Sequence, residues 1–433
     1  MKENRRDFLR KATLVAAGIG LSPTIIKASS LGRGGHIAPS DKITMILIGS
    51  GGQGRGDMMD FLRMNDVRVI AVCDVDDAQS ARAKKMVDDT YGNSDCRVYK
   101  DYREILEKED TDTALLALPD HWHAIIGCAV ANKKIDIYGE KPLARTIAGG
   151  RAIVEAVKKN NLIWQMGSWQ RSQANFHKGA ELVYNGAIGK INYVEVGLPD
   201  GGHYVGNPPA MPVPEGLDWN MWLGPAQKVP FRGVLHFHWR WIMDYSGGQL
   251  TDWAGHHIDI AHWGLGLDRS GPVQVEGSGR SNPDGIYNVP IEYDFTCTYA
   301  NGIKIRVANQ SKLKTGMGTC WYGSDGWLHV DRGGKIEASN PDILNEKIGR
   351  NGKPLYKSDD HSRNFIDCVR SRKETITPAD IGHRSISVGL LGEIAIITGQ
   401  KLSWDPDKEV FINNDMANRL LKRPYRAPWK FPA

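Results

Sequence analysis

The stretch TMILIGSGGQG, residues 44–54, is an apolar run rich in β-branched residues that breaks into glycines. This pattern predicts a buried parallel strand that ends in a phosphate-binding turn. Gly49, Gly51 and Gly54 match the spacing G-x-G-x-x-G, whose glycines allow a tight turn, close approach of a pyrophosphate and close packing of the next helix. We expect that helix at residues 56–63, with its N-terminus facing the anion. The whole turn is assigned to cofactor binding: Gly49, Ser50, Gly51, Gly52, Gln53 and Gly54.

A second apolar run, residues 67–73, ends at Asp74, twenty residues beyond Gly54. A carboxylate at this place accepts hydrogen bonds from the adenosine ribose and repels a 2′-phosphate. Asp74 therefore predicts NAD as the cofactor in preference to NADP. The alternative is a purely structural turn followed by a surface aspartate.

The alternation of strands and helices continues to about residue 167. Strands are expected at 113–118, 135–139 and 162–166, and helices at 78–90, 101–110, 124–133 and 147–160. Repeated β–α units with short connections predict an α/β domain with a doubly wound parallel sheet, a Rossmann domain, over residues 41–167. Ligands of such sheets bind beyond the carboxyl ends of the strands. Two polar clusters fall there, Pro119-Asp120-His121-Trp122-His123 and Glu140-Lys141-Pro142.

From about residue 168 the pattern changes to longer strands, expected at 190–198, 273–281, 291–300, 303–310 and 318–330. Asn301-Gly302 and Asp325-Gly326 are typical dipeptides of hairpin turns. Residues 168–400 are therefore predicted to form an α+β domain with an open, largely antiparallel sheet. Helical patterns return at 362–371 and 382–398, and residues 401–433 are expected to form an irregular tail.

The N-terminus has the pattern of a targeting segment. Asn4-Arg5-Arg6-Asp7-Phe8-Leu9-Arg10-Lys11 resembles a twin-arginine export signal, which predicts a signal peptide at 1–30, a linker at 31–40 and a periplasmic protein. The alternative is a basic disordered arm. Residues 1–28 carry six basic and two acidic side chains, so the rest of the chain holds about +1 of the total charge of +5.

This nearly neutral body gives no argument for a nucleic-acid partner. No apolar run approaches the roughly 18–20 residues of an integral membrane segment. The six cysteines are scattered and include no C-x-x-C pair, so nothing indicates a disulfide scaffold.

Lys141 follows a predicted strand and is fixed by Pro142, which would place it near a nicotinamide ring. The positive charge of the oxidised ring would depress the pKa of the lysine and make it a usable proton relay. The alternative is a solvated lysine at a strand end.

The segment at residues 247–263 carries the second chemical pattern. In a helix, Asp252, His256 and Asp259 stand at i, i+4 and i+7, on one face. A carboxylate beside an imidazole suits removal of a proton from an alcohol. Two alternatives stay open: a metal site built from these three side chains, and an ordinary capped core helix with a surface histidine.

Six of the thirteen tryptophans lie between residues 219 and 263. Indole faces with a polar N–H suit ring-shaped amphipathic ligands such as sugars, although core packing explains some of them equally well. Trp239 and Arg240, in the sequence Trp239-Arg240-Trp241, are predicted to belong to a substrate pocket wall.

In this order, these motifs resemble the Gfo/Idh/MocA family of nicotinamide-dependent sugar oxidoreductases, over roughly residues 42–400. The segment Met166-Gly167-Ser168-Trp169-Gln170-Arg171 also looks like the family segment that passes beneath the cofactor. The resemblance implies that Lys141, Asp252 and His256 are catalytic, with His256 as the acid/base. It further implies dinucleotide contacts from several side chains and a substrate contact from Arg171. The implied dinucleotide residues beyond the glycine turn are Asp74, Pro119, Asp120, His121, His123, Glu140, Lys141 and Gln170.

The implied activity is hydride transfer between a tightly bound nicotinamide and a hydroxyl carbon of a sugar or glycoside, with a 3-keto sugar as one specific product. No resident metal is expected. Two other functions fit the same residues: an NAD-dependent glycoside hydrolase that oxidises its substrate transiently, and a non-catalytic sugar-binding relative. Family members often assemble through the open sheet, so the resemblance also implies a homo-oligomer.

Overall fold

The structure is a computed structural model that describes residues 37–202, 204, 206–233, 236–349 and 352–432. The predicted export signal at 1–30 and most of the linker at 31–40 lie outside the described residues. Among the helices of the described part, none has the length and apolar character that a membrane crossing requires.

The first third of the described chain forms a sheet of six parallel strands. They are β1 (Ile43–Ile48), β2 (Val67–Cys73), β3 (Arg97–Tyr99), β4 (Thr113–Leu116), β5 (Asp136–Gly139) and β6 (Trp164–Met166). The connecting helices are α1 (Gly52–Leu62), α2 (Asp77–Tyr91), α3 (Tyr102–Lys108), α4 (Asp120–Asn132) and α5 (Ile147–Lys159). The spatial order β3-β2-β1-β4-β5-β6 confirms the doubly wound sheet. Because the order reverses between β1 and β4, a crevice opens beyond their carboxyl ends.

The second sheet has nine strands in the order β13-β12-β11-β7-β10-β9-β8-β14-β15. They are β7 (Ile191–Leu198), β8 (Gln274–Ser281), β9 (Pro290–Thr298), β10 (Lys304–Asn309), β11 (Gly318–Gly323), β12 (Trp327–Val330), β13 (Ile336–Ala338), β14 (Leu402–Asp405) and β15 (Val410–Phe411). All neighbours are antiparallel except β7 and β10, which run parallel. The predicted open, mostly antiparallel sheet is thereby confirmed. Two helices pack near it, α6 (Ala174–Tyr184) and α11 (Ala379–Thr398). A further helix, α10 (His361–Ser371), precedes α11 in the chain.

The expected irregular tail is more ordered than its sequence indicates. Trp404 and Phe411 are buried and their rings meet edge to face at 4.8 Å, so β14 and β15 extend the second sheet. A short helix, α12 (Asp415–Arg419), follows. These strands are too short for periodicity to reveal them, and burial of their aromatic side chains is what holds them.

The segment at 247–263 is not one regular helix. It consists of α8 (Gly248–Trp253), a π-helical turn (Ala254–Ile258) and α9 (Asp259–Leu265). The prediction that Asp252, His256 and Asp259 share one face is wrong, because the wider turn rotates the residues that follow it. Side chains from neighbouring elements satisfy carbonyls of this turn: Ser168 Oγ donates to Gly255 O at 2.6 Å, and Thr319 Oγ1 donates to His257 O at 2.8 Å.

A long connection between β7 and α8 returns to the first sheet. Its residues 206–233, here called the covering segment, include the helix α7 (Trp219–Leu223). The backbone N–H of Asp218 donates to Val75 O at 2.9 Å, which ties the covering segment to the end of β2. Arg426 near the C-terminus donates to the backbone oxygens of Asn220, Gly224 and Ala226. The covering segment, which belongs to the second domain, therefore lies over the crevice at the sheet edge.

Candidate active site

The glycine turn leaves space for a phosphate group. A side-chain carbon at Gly49 would collide with the carbonyl of Ala117, and one at Gly54 would collide with the carbonyl of Gly49. At Gly51 and Gly52, by contrast, the same carbon would meet nothing within 4 Å. α1 begins at Gly52, earlier than expected from the sequence, so its first N–H groups point into this open space. The turn fits a pyrophosphate.

Asp74 is held at the end of β2 by two backbone donors. Its Oδ2 accepts from Ser50 N at 2.7 Å, and its Oδ1 accepts from Asp76 N at 2.9 Å. Burial raises the pKa of Asp74 to about 6, although these two hydrogen bonds oppose the shift. Each carboxylate oxygen keeps a lone pair for a further donor. This arrangement fits the hydroxyls of an adenosine ribose, while the backbone N–H of Ser50 holds the carboxylate in position.

One cavity of about 500 Å³ runs from the glycine turn to Lys141 and Asp252, whereas the third predicted catalytic residue, His256, is not part of its lining. Leu217, Met221 and Trp222 of the covering segment line it on one side. The predicted site residues that line it are Gly49, Gly51, Gly52, Gln53, Gly54, Asp74, Pro119, Asp120, Glu140, Lys141, Trp239, Arg240 and Asp252. The glycine turn and Lys141, which follow two strands of the first sheet, thus share one cavity with Trp239, Arg240 and Asp252 of the second domain.

Lys141 and Asp252 form an ion pair at the inner end of this cavity. Lys141 Nζ donates to Asp252 Oδ1 at 2.8 Å, and Arg240 Nε lies 3.6 Å from the same oxygen. Burial acts to lower the pKa of Lys141, but Asp252 and Glu140 outweigh it and the pKa lies above its ordinary value. Burial acts to raise the pKa of Asp252, but Lys141 and Arg240 outweigh it and the pKa lies below its ordinary value. Both side chains are therefore charged.

His256 lies beside this pair but is not bonded to it. Its ring contacts Trp253 at 5.5 Å and Trp169 at 6.3 Å between centroids. Nδ1 is buried without a hydrogen-bond partner, and no described residue bonds Nε2. Burial, with the positive charges of Lys141 and Arg332, lowers the pKa of His256 well below its ordinary value. The imidazole is neutral at physiological pH, and neither Asp252 nor Asp259 orients it, contrary to expectation.

Three residues expected near the dinucleotide support the cavity wall from behind. His121 Nε2 lies 3.1 Å from Trp222 O, and His123 Nε2 lies 2.9 Å from Leu118 O. Gln170 Nε2 lies 3.3 Å from His257 Nδ1. Asp120, which does line the cavity, accepts from Ser246 Oγ at 2.6 Å.

Arg171 occupies a different place from the one the sequence predicts. Its side chain is 1% exposed and donates to both oxygens of Asp259, at 2.6 and 2.8 Å. It also donates to Asp268 at 2.9 and 3.2 Å. The guanidinium of Arg171 is used in this buried network within the second domain, and Arg171 does not line the cavity. The structure therefore corrects the prediction that Arg171 contacts the substrate.

The same network contradicts the alternative prediction of a metal site at Asp252, His256 and Asp259. Asp259 is engaged by Arg171 and by Ser385 Oγ at 2.7 Å, so it cannot join Asp252 and His256 around one ion. Among the described residues, no group of three His, Cys, Asp or Glu side chains is arranged to hold a metal.

Sequence reasoning missed Arg332, which lies in the turn between β12 and β13. Its guanidinium stacks on Trp169 and Trp253, the two rings that flank His256. No local motif marks this arginine, since the turn is remote from the site in sequence.

Comparison with known proteins identifies both domains. Residues 43–168 match the Gfo/Idh/MocA family model described as "Oxidoreductase family, NAD-binding Rossmann fold", and residues 201–431 match "Oxidoreductase family, C-terminal alpha/beta domain". The chain belongs to the Gfo/Idh/MocA oxidoreductase family. Its first domain is therefore an NAD-binding Rossmann domain of this family.

Individual Gfo/Idh/MocA relatives are distant. A "Glycosyl hydrolase family 109 protein 2" from Shewanella sp. is 29% identical over 33% of this chain and 34% of its own length. A "Levoglucosan dehydrogenase" from Pseudarthrobacter phenanthrenivorans is 29% identical over 38% of this chain and 36% of its own length. The chain thus aligns with about a third of the length of these curated relatives. The structure of an aldose-aldose oxidoreductase from Caulobacter crescentus shares the fold, with a TM-score of 0.60, 19% identity, and coverage of 84% of this chain and 99% of that chain.

Proposed function

We propose that this protein is an NAD-dependent dehydrogenase that acts on a hydroxyl carbon of a sugar or glycoside and forms a keto sugar. The observation that carries the proposal is the Lys141–Asp252 ion pair, which faces the same cavity as the glycine turn and Asp74. A relative named as a levoglucosan dehydrogenase supports a sugar as the substrate class.

When bound in this cavity, the nicotinamide would accept a hydride from the sugar carbon. The hydroxyl on that carbon must lose its proton as the hydride leaves. His256 is neutral and its Nδ1 is buried without a hydrogen-bond partner, so it is assigned as the proton acceptor, from a position beside Lys141 just outside the cavity lining. Lys141, charged and held by Asp252, orients the hydroxyl by donating a hydrogen bond to its oxygen. Trp239 and Arg240 form the adjoining wall for the sugar.

NAD is proposed in preference to NADP because of Asp74. A 2′-phosphate would have to approach a carboxylate that already accepts two backbone N–H groups and is close to the cavity. Two cations of this region are already engaged: Arg55 donates to Ser50 O at 2.5 Å and to Gln79 Oε1 at 2.6 Å, and Lys100, which lines the cavity, pairs with Asp77 at 2.9 Å.

A second candidate is glycoside hydrolysis. Transient oxidation of a ring carbon acidifies the neighbouring C–H, which permits elimination of the glycosidic oxygen, addition of water and return of the hydride. The similarity to a protein named as a glycosyl hydrolase of family 109 favours this candidate. The net products separate the two: a keto sugar with reduced cofactor, or a free sugar with the cofactor unchanged.

We also propose that the protein is exported with its cofactor already bound. The twin-arginine pattern at Arg5 and Arg6 supports export in the folded state, and the covering segment supports retention of the dinucleotide. The open face of the second sheet is proposed to pair with another copy of the chain, which sedimentation of the mature protein would measure.

The proposed function is tested by mass spectrometry and product analysis of gently purified protein. We expect NAD to co-purify, and we expect a panel of sugars and methyl glycosides to yield a keto sugar with reduction of the bound nicotinamide. Asp252→Asn, which keeps the shape of the side chain, should retain NAD but lose turnover. Absence of any dinucleotide binding would contradict the proposal, and a free sugar as the sole product would establish the hydrolase instead.

A further inference from the structure

A cation stands between two indole rings beside the proposed active site. The guanidinium carbon of Arg332 lies 4.2 Å from the ring centroid of Trp253 and 4.6 Å from that of Trp169. Trp253 directly follows Asp252, and both indoles contact the ring of His256. All three side chains of this sandwich are only partly buried. The arrangement holds an arginine head group next to His256, although none of these three side chains is part of the cavity lining that includes Lys141 and Asp252.

This cation lacks a counter-ion among the described residues. Arg332 Nε is buried without a hydrogen-bond partner, and no described carboxylate forms an ion pair with the guanidinium. The adjacent Asp331 is directed elsewhere: its Oδ1 accepts from the backbone N–H of Arg332 at 2.7 Å and lies 3.8 Å from His257 Nε2. The other arginine near the site, Arg240, lies close to Asp252. Arg332 is thus the cation that remains available to a ligand.

Packing alone does not account for this side chain. Stacking of a guanidinium on indole is favourable, but a buried N–H that lacks a partner carries a desolvation cost. Burial also lowers the pKa of Arg332, although the charges of Asp252, Asp331 and Glu140 oppose this shift. An oxyanion at this place would meet a planar, pre-oriented set of donors, which is the arrangement that binds carboxylate or phosphate oxygens in pairs.

We propose that Arg332, held between Trp169 and Trp253, binds an oxyanion carried by the sugar substrate, so that the preferred substrate is an acidic sugar. The proposal rests on the function proposed above and specifies its substrate class. The sugar ring stacks on the exposed indole edge while its carboxylate or phosphate ester receives hydrogen bonds from the guanidinium.

The test is calorimetric binding to the NAD-loaded protein. The probes are matched pairs: glucuronate and glucose 6-phosphate against glucose, and galacturonate against galactose. Three variants are compared: Arg332→Gln, Arg332→Lys and Lys335→Gln. Lys335 lies in the same turn and pairs with Glu337 at 3.3 Å, so its replacement removes a nearby positive charge without touching the indoles.

We expect at least one acidic sugar to bind about tenfold or more tightly than its neutral partner, the size of a charge-assisted hydrogen bond. Arg332→Gln should abolish that ratio and leave the affinity for the neutral sugar within about twofold, Arg332→Lys should keep part of the ratio, and Lys335→Gln should keep all of it. Preference for glucuronate or for glucose 6-phosphate identifies the oxyanion as carboxylate or phosphate.

The proposal is overturned if no acidic sugar binds more tightly than its neutral partner, or if both Arg332 variants weaken acidic and neutral sugars equally. Unchanged NAD affinity in each variant verifies that the fold is intact, and the lysine variant serves if the glutamine variant does not fold. An acidic sugar that binds through Arg332 without ever reducing NAD would contradict the dehydrogenase function while leaving the oxyanion site in place.

Discussion

At the scale of single residues, the site separates two kinds of proton-handling group. Lys141 is charged because two carboxylates outweigh the effect of its burial, whereas His256 is neutral because burial and neighbouring cations act in the same direction. A neutral imidazole can take a proton directly. A lysine that starts near 10.4 and is raised further must lose its own proton first.

We therefore predict different kinetic defects at these two positions. His256→Ala should slow reduction of bound NAD by at least about 10²-fold, the lower range for a positioned general base, while NAD affinity is unchanged. Lys141→Met should reduce both turnover and sugar affinity, because it removes the group that orients the hydroxyl. Stopped-flow reduction measures the chemical step separately from binding. Near wild-type reduction in His256→Ala together with an inactive Lys141→Met would reverse the assignment and make the lysine the base.

Asp74 gives a prediction about pH. In the free protein burial raises its pKa to about 6, whereas hydroxyl donors of the ribose favour the ionised carboxylate and lower that pKa in the complex. Binding then releases a proton below pH 6 but not well above it. The affinity for NAD should be constant at neutral pH and fall as the pH drops through about 6, by up to about tenfold per pH unit.

Titration of dinucleotide-free protein with NAD across this range measures the effect. Asp74→Asn should bind NAD more weakly and without this pH dependence, and it should discriminate less against NADP. A wild-type protein that binds NADP more tightly than NAD would refute the role given to Asp74.

At the scale of elements, the π-helical turn decides which residues meet. It keeps Asp252 toward the cavity and turns Asp259 into the interior of the second domain, where Arg171 is fully buried. Such turns are frequent at functional sites because they redirect side chains without ending a helix.

Loss of the Asp259 charge should therefore affect stability before activity. Asp259→Asn leaves Arg171 buried with a weaker partner, and we expect a loss of about 3 kcal/mol in the free energy of unfolding, as is typical for a broken buried ion pair. Asp268→Asn is the matched control, and its effect should be smaller because this side chain is 25% exposed. Urea unfolding measures both. A change in the KM for sugar without loss of stability would instead indicate that Arg171 contacts the substrate.

The covering segment gives a second prediction at this scale. Arg426 fastens it through hydrogen bonds to three backbone oxygens, of which the bond to Gly224 O is 2.8 Å long. Arg426→Gln should weaken the attachment of the covering segment and speed dissociation of NAD by about tenfold, consistent with the loss of one charge-assisted hydrogen bond. Release of bound NAD into an excess of a competing dinucleotide measures the rate. Arg280→Gln, at an exposed position of β8, should leave that rate unchanged.

At the scale of the whole molecule, the covered cavity and the N-terminal pattern lead to one prediction, that the dinucleotide is bound before export. Export in the folded state would carry the dinucleotide along, and a roofed cavity would keep it where free dinucleotide is scarce. Regeneration must then occur within the site or through a second substrate.

Export should depend on the arginine pair. Replacing Arg5 and Arg6 by lysine preserves charge but removes both guanidinium groups, and we expect the protein to stay in the cytoplasm. Fractionation of cells that express each form measures its location, and a replacement of Lys2 by arginine controls for a general effect of mutation near the N-terminus. Normal arrival of the double lysine variant in the periplasm would show that the signal works by another route.

Much of the fold follows from local pattern. The run at residues 44–54, the glycine spacing and the repeated β–α units indicate the parallel sheet and its ligand edge, because strand burial and turn chemistry depend on neighbouring residues. Asp74, Lys141 and Asp252 could be singled out in the same way. The short strands β14 and β15 could not, since only the pairing of β14 with β8 and of β15 with β14 makes them regular.

The sequence by itself determined the family of folds, the nucleotide turn and about half of the residues that line the cavity. The tertiary structure alone decided their partners: Asp252 pairs with Lys141, 111 positions away, Arg171 pairs with Asp259, 88 positions away, and Arg332 reaches Trp253 from the turn between β12 and β13. The physical reason is that a local pattern sets the conformation of a segment and the side it buries. The charge that a side chain meets is set by whichever remote segment packs against it.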